Sequence, residues 1–171
     1  MGLLEDIERT VFLGEEFLTW LWFRSETSAR ITLPKIGDIK IEVNEPMALR
    51  GSEDQDAIQL TIKGERAGAS AEAHAALREG KKLYKCRAII KQGDLGWPCA
   101  LNADSLGIGS LTVPVPKGLP LNEALVLRGQ KLEEFTQIYF ALYEFFLDLR
   151  LNDKKWHKVE ETIKKWVLGQ S

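Results

Sequence analysis

Cysteine and histidine are nearly missing from this chain, which has two of each in 171 residues. Cys86 and Cys99 are too few for a secreted disulfide framework and lack metal-ligand spacing, so both are expected as thiols packed in or near a core. His74 and His157 have no Cys or Asp at a spacing that suggests a triad or a zinc pair, and both read as surface or boundary residues. The Gly107-Ile-Gly109 pair lacks the third glycine, the Lys-Ser/Thr ending and the helix of a phosphate loop. Glu53, Asp54 and Asp56 lack the glycine and terminal glutamate of a calcium loop and read as a polar connection. Glu15 and Glu16 are adjacent, so on a helix their carboxylates diverge, and they are expected to solubilise its edge. No catalytic residue, cofactor or metal is expected, and the chain does not read as an enzyme. No run approaches the ~18 apolar residues of a membrane span, and the Met1 start lacks the features of a signal peptide. A cytoplasmic protein without membrane contact is the expectation.

What is present is an ordinary globular composition, 44% hydrophobic and 28% charged, in a length that suits one domain over residues 1–171. Leu3, Leu4, Ile7, Val11 and Phe12 recur at helical spacing, and Phe17, Leu18 and Leu21 extend that face. Gly14 marks a break or a close packing point. Trp20, Trp22 and Phe23 fall off the stripe, so the end of this helix is apolar nearly all round. Such a helix must be covered on all sides, by its own sheet or by a partner chain. Trp20, Trp22 and Phe23 are therefore the candidate partner interface.

After Thr27 the period becomes two. Arg30–Leu33 reads as a short strand, and Ile39, Ile41 and Val43 alternate with Lys40, Glu42 and Asn44, as Ile58, Leu60 and Ile62 alternate with Gln59, Thr61 and Lys63. Ser70 caps a short alanine-rich helix that stops at Gly80. Tyr84, Cys86, Ala88 and Ile90 then alternate with Lys85, Arg87 and Lys91, and a Gly93–Gly96 turn leads to a strand at Trp97–Leu101, where Pro98 implies an edge or a bulge. The Gly- and Pro-rich stretch from Asn102 to Pro120 crosses to the helices, with Ser110–Val113 as a further short strand. Asn122 opens the longest helix, striped by Leu132, Phe135, Ile138, Tyr139, Leu142, Phe145, Phe146 and Leu149. Asn152 or Asp153 caps a last helix with Trp156, Val159, Ile163, Trp166 and Val167 on its buried face. The fold class is α+β: an antiparallel sheet of about four to six strands with an N-terminal helix and two C-terminal helices packed on it.

The formal charge is only −2, but it is unevenly spread. Arg78, Lys81, Lys82, Lys85, Arg87 and Lys91 face only Glu79 between residues 78 and 91. Arg150, Lys154, Lys155, Lys158, Lys164 and Lys165 face Asp153, Glu160 and Glu161 from residue 150 onward. Two basic segments on an acidic body can attract phosphate, although a solvated face has the same composition. Candidate nucleic-acid contacts are Lys81, Lys82, Lys85, Arg87 and Lys91 in the first segment, and Lys154, Lys158 and Lys165, which share one side of the last helix, in the second.

The run Phe12-Leu-Gly-Glu-Glu-Phe-Leu-Thr-Trp-Leu-Trp-Phe-Arg-Ser-Glu26 resembles a segment of the recombination-associated protein RdgC family. In the longer members, a Leu-Gly-x-Glu-Phe-Leu-Thr-Trp-Leu-Trp run opens the C-terminal half and is followed by strands and a terminal helix. The order of elements is similar over most of the chain, including a Gly-Lys-Lys turn at Gly80–Lys82 that enters a strand. The resemblance implies binding of double-stranded DNA with little sequence preference in a DNA-recombination setting, and double- or single-stranded DNA is the expected partner. It also implies a homo-oligomer or a second RdgC-like subunit as partner, and it transfers no catalytic residue. Two expectations follow: an accessory protein that binds nucleic acid through its basic segments, or a protein-interaction module that docks through the aromatic N-terminal helix.

Overall fold

A computed structural model describes residues 3–27, 30–51, 60–62 and 71–170. The acidic connection around Glu53, Asp54 and Asp56, the alternation at Ile58 and the cap at Ser70 lie outside the described residues, as do the side chains of Leu3, Leu4, Ile7, Val11 and Phe12.

The order of elements is α1 (Leu3–Glu26), β1 (Ile31–Leu33), β2 (Gly37–Arg50), β3 (Leu60–Ile62), α2 (Ala71–Arg78), β4 (Lys82–Gln92), β5 (Leu95–Asn102), β6 (Gly107–Gly109), α3 (Leu121–Arg150) and α4 (Asp153–Val167). The strands form one six-stranded antiparallel sheet in the order β1-β2-β4-β5-β6, and β3 also pairs with β2. β1 pairs with the start of β2 and β3 with its end, so two short strands share the edge of one long strand. The α+β class expected from the periodicities is the observed one.

Alternation sets the two faces of the sheet. Ile39, Ile41, Val43, Cys86, Ala88, Ile90, Trp97, Cys99 and Leu101 are buried on one face. On the opposite face Lys40, Asn44, Lys85, Arg87 and Pro98 are exposed. α1 lies on the buried face across β2 and β4. Phe135, Ile138, Tyr139, Leu142 and Phe146 of α3 close the core from the same side, with the Phe135 ring 6.3 Å from Trp97. Two-residue alternation suits this arrangement, since one pleat buries its apolar half while the other stays in water.

Gly14 is a packing point, not a break, because α1 runs through it unbroken. A Cβ there would lie 2.2 Å from the Ala103 carbonyl oxygen, so only glycine lets the loop after β5 approach the helix. At Gly80 the chain leaves α2 with φ +87, while Lys81 N–H donates to Ala76 and Gly80 N–H to Leu77, the paired bonds of a left-handed helix stop. Asn152 caps α4 by accepting from the Lys155 N–H at 3.1 Å. Pro98 stands beyond the end of the β5–β6 pairing, at the edge position expected for it. The strand expected at Ser110–Val113 is instead Gly107–Gly109, which pairs with Ala100–Asn102. Ser110 has φ +47 and interrupts the ladder, after which the Thr112 N–H still donates to the Pro98 carbonyl at 2.8 Å. α3 begins at Leu121, one residue before Asn122, and Pro120 precedes it without a side-chain cap.

Candidate nucleic-acid interface

The open sheet face carries the cations of β4. Lys85 and Arg87 are exposed and, among the described residues, neither has a carboxylate within ion-pair distance. The Lys85 ammonium lies 5.4 Å from the Tyr84 ring centre, in cation–π range. Both residues line a hollow of about 420 Å³ whose floor is built from small and backbone-rich positions, among them Ala100, Gly107 and Gly109. Register places Arg87 between Asn44 and Ala100, neither of which can neutralise it. Lys91, on the same face, donates to Glu42 at 2.7 Å, and Lys40 approaches that carboxylate at 3.7 Å. Two of the four cations on this face thus share one acid, and the charge left over falls on Lys85 and Arg87.

The other sequence candidates lie elsewhere. Lys81 donates to Glu79 at 3.0 Å, and Lys81 and Lys82 line a groove of about 510 Å³ between the end of α2 and α4, with Leu77, Trp156, Ile163 and Val167 as its apolar wall. Lys154, Lys158 and Lys165 are exposed on α4. Since α4 packs on α1, α2 and α3, this row belongs to the helical side of the molecule, across the core from Lys85 and Arg87. The eight candidates therefore occupy three surfaces: the open sheet face, the α2–α4 groove, and the outer side of α4.

The proposed partner interface is corrected by the fold. Trp20, Trp22 and Phe23 are buried within their own chain. Trp20 packs 5.6 Å from Phe146 and 6.2 Å from Phe145, while Trp166 of α4 stands edge-on to Trp22 at 5.3 Å and to Phe23 at 5.5 Å. The two C-terminal helices supply the cover that the all-round apolar turn demands, so these side chains do not reach a second subunit. The solubilising role expected of Glu15 and Glu16 is also corrected. Their carboxylates diverge as helical geometry requires, but each reaches a partly buried arginine, Arg50 for Glu15 and Arg150 for Glu16. Arg50 also binds Asp104 and lies 4.7 Å from the Tyr84 ring centre. The glutamates tie α1 to β2 on one side and to the end of α3 on the other.

One cluster escaped the sequence reading. Glu26 accepts from Trp22 Nε1 at 2.7 Å and from Trp166 Nε1 at 2.9 Å, and His74 Nε2 lies 3.0 Å from its second oxygen. The His74 ring is 4.8 Å from Trp166. These residues come from α1, α2 and α4, with Glu26 and Trp166 140 positions apart, so no local spacing signals the cluster as a whole. A His beside a carboxylate can serve acid–base chemistry, but this carboxylate is occupied by three partners and lines neither the sheet-face hollow nor the α2–α4 groove. Its geometry is that of a clasp between three helices. Among the described residues no cluster of His, Cys, Asp and Glu could hold a metal, and no helix is long and apolar enough to cross a membrane.

Cys86 and Cys99 are free and buried on adjacent strands. Burial raises both thiols, Cys99 to about 12 and Cys86 further, which leaves them protonated and poor nucleophiles at neutral pH. Comparison with family models, curated proteins and solved structures finds no match to this chain.

Proposed function

We propose that this chain is a non-enzymatic accessory protein of DNA metabolism, RdgC-like, which binds nucleic acid without sequence preference through the open face of its sheet. The observation that carries the reading is the exposed pair Lys85 and Arg87, one pleat apart on β4 and without an acidic partner among the described residues. Side chains on one face of a strand repeat every ~6.6 Å, so the two cations present separate positive charges to a polyanion rather than one shared site. Asn44 and Ala100, which flank Arg87 in the sheet, bring no acid to it, so the positive charge of this face stays available to phosphate. The resemblance of the Phe12–Glu26 run supplies the DNA-metabolism setting.

The test is fluorescence anisotropy with labelled single- and double-stranded oligonucleotides at low and moderate salt. The wild-type chain is expected to bind at ~50 mM salt and to weaken steeply toward ~200 mM, as counterion release requires. Reversing both charges, Lys85→Glu with Arg87→Glu, is expected to abolish the complex, while Lys154→Glu with Lys158→Glu leaves most of it. No complex at low salt overturns the proposal. Loss on the α4 substitutions alone would move the site to the helical side.

A further inference from the structure

The last helix carries an apolar face that the fold leaves half open. Trp156, Val159, Ile163, Trp166 and Val167 lie on one side of α4, yet none of its 15 residues is fully buried. Trp166 is held in the Glu26 clasp, and Trp156 packs edge-on to Phe146 at 5.8 Å. Trp156, Ile163 and Val167 also line the groove of about 510 Å³, whose opposite wall is the end of α2 and the start of β4. From Trp156 to Val167 the helix makes three turns and covers about 16 Å. Cavities of ~300–1,000 Å³ with mostly apolar walls and a few fixed polar groups are the usual form of a small-ligand site.

The polar groups gather on the α2–β4 wall. Arg78 lines the groove and its Nε donates only to the His74 carbonyl, with no carboxylate in ion-pair distance among the described residues. Lys81 meets Glu79 at the mouth, where that carboxylate is 67% exposed, while the Lys81 side chain is 17% exposed and lays its stem inside. The two acids of the groove are already engaged, Glu16 by Arg150 and Glu160 by Lys164 at 3.3 Å. With both neutralised, the charge of Arg78 is left uncompensated. At the floor, Thr19 accepts from the Leu83 N–H at 3.2 Å, which sets its hydroxyl next to Lys82. That hydroxyl still has a proton to donate, and among the described residues nothing accepts it.

We infer that the α2–α4 groove is a binding site for a small amphipathic anion, a carboxylate on an alkyl or aryl body. The body lies along Trp156, Ile163 and Val167, and the carboxylate faces the α2–β4 wall, toward Arg78, Lys81 and the Thr19 hydroxyl. An extended peptide suits the groove less. The Gly80 and Lys81 N–H groups close α2 and the Leu83 N–H is taken by Thr19, so no main-chain ladder is on offer there. The site is separate from Lys85 and Arg87 on the open sheet face and does not depend on nucleic-acid binding.

Isothermal titration of the full chain with decanoate, kept below its micelle concentration, tests the site. One saturable equivalent is expected, and neutral decanol is expected to bind more weakly. Arg78→Ala with Lys81→Ala is expected to raise the dissociation constant by about tenfold or more. Lys154→Ala with Lys158→Ala removes the same charge from the outer side of α4, where salt screens it, and is expected to change the constant by less than about twofold. Ile163→Trp fills the groove and is expected to abolish binding with the far-ultraviolet circular dichroism unchanged. No saturable binding by the wild type, or binding indifferent to the Arg78 and Lys81 substitutions and to Ile163→Trp, overturns the site. Equal binding of decanol overturns the anion, and tighter binding of an acidic phenylalanine-containing peptide overturns the small ligand. The DNA anisotropy is read without decanoate, so failure here leaves it unaffected.

Discussion

Helices α1 and α3 both carry apolar residues on more than one side, yet only the end of α1 is covered. From Phe17 to Phe23, the sheet lies beneath α1, Phe145 and Phe146 of α3 cover one flank, and Trp166 of α4 covers the other. On α3, cover stops at Phe135, and Leu121, Leu125 and Leu132 stand in solvent. The difference is one of position. α1 is the central layer between the sheet and the C-terminal helices, whereas the first half of α3 has a neighbour only on its inward side. A tryptophan-rich run at the centre of the layers is thus covered by its own chain, while leucines on a peripheral helix stay in water.

The sharpest way to break this comparison is to make the same substitution on both sides of α3. Leu142→Ala empties space in the core, where that side chain is fully buried, and is expected to cost about 2–5 kcal/mol. Leu125→Ala, 17 positions earlier, removes a side chain that is 56% exposed, and is expected to change monomer stability by no more than ~0.5 kcal/mol. Chemical denaturation measures both. Equal losses would mean that the N-terminal half of α3 is packed against the body.

Alkaline pH acts on the covered side alone. Tyr139, which donates to the Leu106 carbonyl at 3.2 Å, is raised by burial together with Cys86 and Cys99. The Cys99 thiol moves from an ordinary 9.0 to about 12. Between those values the unfolded chain has released the proton and the folded one has not, so stability is intact below pH ~9 and falls as pH rises through the window. Each such group contributes a slope of up to ~1.4 kcal/mol per pH unit. Urea midpoints measured from pH 8 to pH 11 are expected to decline, and Cys99→Ala is expected to flatten the decline. A profile unchanged by that substitution would place the thiol in contact with water.

The strands and helices were legible because each period matches one face. The two-residue alternation of β4 placed Lys85, Arg87 and Lys91 together, and Asn152 announced the start of α4. Which cations remain free was not legible, since Glu42 sits 49 positions from Lys91 and is brought beside it only by the β2–β4 register. The Glu26 clasp was hidden for the same reason. Trp20, Trp22 and Phe23 were visible as a surface needing cover, but periodicity within one helix cannot say whether the cover comes from the same chain. The exposure of Leu132 was not legible either: the sequence placed it on the apolar stripe of α3, yet it is 46% exposed, because it lies about 60° from Phe135 at the flank of the inward face, and nearby Gly129 interrupts a helix with no break.

That glycine gives the finest discrimination between covered and uncovered apolar surface. Its side of the helix is open, so alanine at position 129 fits without displacing any atom. The substitution Gly129→Ala restricts the unfolded chain and favours the helix, and the monomer is expected to gain about 0.5–1 kcal/mol. Thermal melting reads the effect, and a loss of stability in place of the gain would show that the open side of α3 at Gly129 is covered.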